Sequence, residues 1–113
     1  MKNVMIVSTS VAANGTVDSV FQGKRFERAP YDGYLTYYST GSASGLQEEI
    51  NVGGRSATPR MPVNTQNRNP VVPDDLVASG IPVRNGELIQ ITAANTTAGA
   101  LTHVARVEID SIG

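Results

Sequence analysis

Residues 82–110 read PVRNGELIQITAANTTAGALTHVARVEID, and their pattern decides the fold class. Asn85-Gly86 is a turn pair that tolerates positive φ. Beyond it Ile89, Ile91 and Ala93 alternate with Leu88, Gln90 and Thr92, the rhythm of a half-buried strand. Asn95-Thr96-Thr97-Ala98-Gly99 interrupts that rhythm with small, turn-prone residues. It resumes from Leu101 to Asp110, with Leu101, His103, Ala105, Val107 and Ile109 on one face. The expectation is a long antiparallel hairpin in which Leu88–Ala93 pairs with Leu101–Ile109.

Working outward, the rest of the chain supports an all-β reading. Lys2 to Val11 is a strand candidate with Val4 and Ile6 on one face and Met5 and Val7 on the other. Apolar residues on both faces imply cover on both sides, so Val4 and Ile6 are expected at a subunit interface. Thr16–Phe21 is a shorter candidate. Pro30-Tyr31-Asp32-Gly33 is a turn signature, followed by a strand in which Leu35, Tyr37 and Ser39 alternate with Tyr34, Thr36 and Tyr38. Leu46–Val52 puts Leu46, Glu48, Ile50 and Val52 on one side. Seven or eight short strands in a single domain, residues 1–113, predict an antiparallel β-sandwich of jelly-roll type. A small open barrel is the runner-up, without the basic, aromatic binding face that such barrels use for nucleic acid.

Composition narrows the functional classes. The 113 residues carry a formal charge of −1, with no basic excess to bind nucleic acid. There is no cysteine, hence no disulfide, thiolate nucleophile or thiolate metal site. The first apolar run is too short for a signal peptide, and no segment has the length of a membrane span. Four Tyr, two Phe and no Trp leave a core of Val, Ile, Leu and Ala. Such side chains contribute roughly 1.5–3 kcal/mol each on full burial. The thin core points to self-association, with a homotrimer expected.

Chemistry-bearing residues are sparse. His103 is the only histidine. It sits on an apolar face, where a core or interface position with a hydrogen-bond partner is expected. The serines show no nucleophile elbow. Glu48 and Glu49 point to opposite faces of a strand and cannot act on one bond; Glu48 is expected in a salt bridge at a sheet rim or subunit contact. Asp74-Asp75 reads as a solvated turn or a helix N-cap. No cofactor, metal or small-molecule ligand is expected. From Gly53 to about Pro73 the alternation dissolves into GGRSATPRMPVNTQNRNPVVP, with four of the six prolines, three arginines and no acid. This stretch is expected to be a long loop, with a short edge strand around Met61–Asn64 as an alternative. It reads either as an ordinary solvated loop or, more sharply, as an arm that docks on a partner through Arg55, Arg60, Met61, Val63 and Arg68. Asn14-Gly15-Thr16 and Asn95-Thr96-Thr97 match glycosylation sequons and are expected to be coincidental.

The ending, with its "VRNGE" turn, strand, "NTT" turn and final alternating strand, resembles the terminal hairpins of small β-sandwich proteins on virus and phage particles. That resemblance covers about a quarter of the chain. It implies a non-enzymatic capsid decoration (cement) protein or head-fibre base, often trimeric, made in the host cytoplasm and placed on the virion surface. Its implied partners are the major capsid protein and further copies of itself. The rival expectation is a carbohydrate- or receptor-binding sandwich of a phage fibre or tail, with Tyr31, Tyr34, Tyr37 and Tyr38 as candidate sugar platforms.

Overall fold

In the computed structural model, which describes residues 2–112, the chain forms eight strands. They are β1 (Lys2–Val11), β2 (Thr16–Val17), β3 (Gly33–Gly41), β4 (Leu46–Val52), β5 (Arg55–Pro62), β6 (Leu76–Val83), β7 (Ile89–Asn95) and β8 (Leu101–Ser111). Two four-stranded sheets have the orders β1-β8-β3-β6 and β2-β7-β4-β5, and every pairing between strands is antiparallel. β1 pairs with β8, β2 with β7, β3 with β6 and β4 with β5. These pairs nest inside one another, as in a long hairpin rolled up so that β8 also meets β3 and β7 meets β4. That is a jelly roll.

The C-terminal alternation marks two real strands, but they do not form a hairpin. β7 lies in one sheet beside β4, and β8 lies in the other between β1 and β3. Alternation says that one face is buried, not which neighbour supplies the hydrogen bonds. Here Ile89, Ile91 and Ala93 face His103, Ala105, Val107 and Ile109 within the same interior, all fully buried. Asn95 holds the turn between them. Its Nδ2 donates to Val11 O (3.1 Å) and Gly99 O (2.8 Å), and its Oδ1 accepts from Thr97 N (2.9 Å).

The expected loop at 53–73 also needs correction, because its first part is strand β5. Gly53 and Gly54 have φ of 57° and 81°, the left-handed pair that closes a two-residue hairpin between β4 and β5. β5 is mostly exposed, so no alternation betrays it. The register with β4 shifts around Pro59, as an edge strand with a bulge permits.

Two aromatics complete the interior. Residues 18–29 run along the outer edge of β7, with Val20 N donating to Ile91 O, Ile89 N to Glu27 O and Ala29 N to Glu87 O. Phe21 and Phe26 point from this segment into the core and are fully buried. Arg25, between them, donates to Val4 O on β1 at 2.6 Å. The segment thereby spans from one sheet to the other and closes that side of the roll.

Candidate functional site

The polar side chains with the richest chemistry converge at the centre of the sandwich. β3 supplies Tyr37 and Ser39 and β8 supplies His103, all on the inner face of one sheet, while β4 supplies Glu48 from the other. Tyr37 Oη donates to Glu48 Oε1 (2.8 Å) and Ser39 Oγ donates to Glu48 Oε2 (2.6 Å). His103 Nε2 lies 2.9 Å from Glu48 Oε1 and 3.3 Å from Tyr37 Oη. The single hydroxyl hydrogen of Tyr37 goes to the nearer carboxylate oxygen. His103 must therefore present an Nε2–H to Oε1, because otherwise two lone pairs would face each other. Among the described residues its Nδ1 is buried without a partner. A bare acceptor there is the milder defect, since an orphaned N–H would leave a donor desolvated.

Burial pushes the Tyr37 hydroxyl well above its ordinary value of 10.0, and the neighbouring Glu48 charge adds to the effect. Tyr37 thus remains a donor, which is what Glu48 requires. Apart from His103 Nδ1 the polar groups of the cluster are satisfied, and in a low-dielectric interior they fix one arrangement of the two sheets, since any slip breaks several hydrogen bonds at once. The site is sealed: Tyr37, Ser39 and His103 are 0 % exposed and Glu48 1 %. No substrate can reach it in this conformation.

The residues expected to serve interfaces fall elsewhere. Arg55 binds both oxygens of Glu87 (2.7 and 3.3 Å), Arg60 meets Glu49 (3.1 Å) and Arg68 meets Asp75 (3.0 Å). Each arginine of the expected docking arm therefore has an acid of its own chain. Val63 is buried in the core and Met61 is half-buried, so the arm's apolar residues are also largely engaged. Asp75 is not a solvated turn. It is 3 % exposed and accepts from Asn64 Nδ2 (2.8 Å) and Val71 N (2.8 Å) as well as Arg68. Glu48, expected at a rim, is the centre of the core. His103 is fully buried and offers no surface to another subunit, whereas Val4 is half-buried and Ile6 is 47 % exposed at the edge.

The sugar-platform candidates do not assemble either. Tyr37 and Tyr38 are buried, Tyr31 is half-buried and donates to Ile109 O (2.8 Å), and only Tyr34 is half exposed. Between the edge strands β5 and β6 lies an open cleft of about 330 Å³, lined by Val52, Ala57, Ile81 and Pro82 among others. Among the described residues, no group of three or more His, Cys, Asp or Glu side chains could hold a metal ion.

Sequence reasoning missed Tyr37 and Ser39 as partners of Glu48 and His103. The signal was present: each is a polar residue on an otherwise apolar inward stripe, and such groups must meet partners inside. Comparisons with protein-family models, curated proteins and solved structures found no match for this chain.

Proposed function

We propose that this protein is a non-enzymatic structural component of a virion, a capsid decoration protein that binds the major capsid protein and stabilises the shell. The observation that carries the reading is where the chemistry lies. The sole histidine, with the tyrosine, serine and glutamate beside it, forms a hydrogen-bonded cluster inside a jelly roll, where these groups hold the sheets together. What faces outward is backbone edge, cleft and ion-paired rim, the equipment of a protein that acts through contact. Jelly rolls serve as both viral capsid and lectin domains, so the fold is an analogy and not an identification. Between those classes the buried positions of Tyr37 and Tyr38 weigh against a sugar platform. The terminal resemblance lends less, because its strands form a cross-sheet arch instead of a hairpin.

The test is co-sedimentation with particles of the virus that encodes the chain, stripped of it and then resupplied. Saturable binding at a fixed ratio to the shell protein, with a raised particle melting temperature, is the expected result. Particles that exclude the folded protein, together with specific retention on a glycan array, would replace this reading with the carbohydrate-binding one.

A further inference from the structure

The backbone of β1 points to a second site of assembly. In an antiparallel ladder a residue's N–H and C=O point to the same side, and successive residues alternate. Val4 O accepts from Arg25, which sits outside the sheet, so Val4 faces away from β8. The far strand agrees. Thr102 O accepts from Ser42 N, on the β3 side of β8, and Thr102 lies opposite Ser10 of β1. Lys2, Val4, Ile6, Ser8 and Ser10 therefore direct their N–H and C=O groups outward. Among the described residues, the Arg25 side chain is the one partner that reaches this edge.

Apart from Arg25, this edge lacks the devices that usually prevent strand addition. β1 is ten residues long, and its register with β8 runs from Lys2↔Asp110 to Val11↔Leu101 without a shift. It holds no proline, and its one charge is Lys2 at the end. Long, regular edges of this kind are templates for another strand. β5 and β6 are the opposite case: both have register shifts, β5 contains Pro59 and Pro62, and β6 contains Gly80 and Pro82.

We propose that β1 pairs antiparallel with β1 of a second copy, about a twofold axis at Ile6. That register sets Lys2 against Ser10, Val4 against Ser8 and Ile6 against Ile6, so every outward residue meets an outward residue. The sole charge meets an uncharged serine, and the two lysines lie at opposite ends of the seam. The exposed Ile6 side chains come side by side on the outer face, with Val4 nearby. Sheets β1-β8-β3-β6 of the two copies join into one continuous sheet. The contact is isologous and closes at two copies; the threefold expected from composition does not follow from this edge. Arg25 competes for Val4 O and must swing away. The pairing does not depend on capsid binding and can be tested without a particle.

Sedimentation velocity from about 1 µM to about 1 mM spans the affinities expected of a single strand seam. Wild type is expected to pass from monomer to dimer in that range. Ile6→Pro removes an outward N–H and leaves the β1–β8 ladder whole, so it is expected to fold and to raise the dimer Kd by about 100-fold. Ser8→Pro, read beside circular dichroism, guards against a folding defect at the first position. Arg25→Ala removes the competitor and is expected to tighten the dimer. A wild type that stays monomeric at the top of the range, or a folded Ile6→Pro protein that dimerises as wild type does, overturns the proposal. So does a species that is trimeric.

Discussion

Along the β1 side, Phe21 and Phe26 plug the gap between the sheets with fully buried rings, yet the outermost strand keeps an unshifted register and an outer backbone edge that, among the described residues, only the Arg25 side chain reaches. Along the β5/β6 side a cleft remains among the described residues, yet both strands carry prolines and register shifts, and β5 carries ion pairs as well. One side is closed to water and open to strands, while the other is open to water and closed to strands. The contrast separates two jobs that a single edge seldom performs together. Apolar area supplies stability, whereas unpaired N–H and C=O groups supply recognition. Between the two sides the Glu48 network holds the sheets in one alignment.

Phe21→Ala is expected to destabilise by about 3–5 kcal/mol in urea unfolding, while Ile81→Ala beside the cleft should cause a loss of about 1 kcal/mol, because Ile81 is only partly buried. Equal losses would mean that the sides are not built differently.

Next comes the tie between the sheets. Glu48→Gln keeps the shape of the side chain but turns one acceptor into a donor facing Ser39, with an expected loss of about 1–3 kcal/mol. If that variant unfolds at the wild-type urea concentration, the network is not holding the sheets.

A pH titration sharpens the same point. In the folded protein the Tyr37 hydroxyl is raised above 10.0, while the unfolded chain ionises at the ordinary value. Its contribution to stability is therefore fully present below pH 10.0 and is lost as pH rises from there toward the raised folded value. In that window Tyr37 alone lowers the folding constant by about tenfold per pH unit. Tyr37→Phe should remove this part of the slope, read as the difference between the two proteins' urea midpoints against pH.

The smallest effect is expected at the rim. Arg60→Ala removes a pair whose side chains are 47 % and 31 % exposed, and it should change stability by only about 0.2–1 kcal/mol. A larger loss would show that β5 is held by its charges and not by its ladder with β4.

The fold class was legible because inward stripes such as Leu46, Glu48, Ile50 and Val52 alternate cleanly. β5 was not, because an exposed edge strand has no buried face to write into its sequence. Its turn was visible as Gly53-Gly54, a pair that closes hairpins, but the prolines beyond masked it. Partner choice was the least legible feature. Ile91 and Val107 alternate identically whether they sit side by side or across a core, and only the Asn95 turn decides. The central site was half legible, since Glu48 and His103 were odd residues on apolar stripes. Their meeting required the nesting of β3, β4 and β8, which no single stripe encodes.

The difference between the two sides is tested most directly by residue-resolved amide hydrogen exchange at low and high protein concentration. The account predicts that the N–H groups of Val4, Ile6, Ser8 and Ser10 exchange fast when dilute and gain protection as concentration rises, while those of β5 and β6 do not change. Protection that appears along β6 instead, or β1 amides that exchange equally fast at every concentration in folded protein, would contradict it.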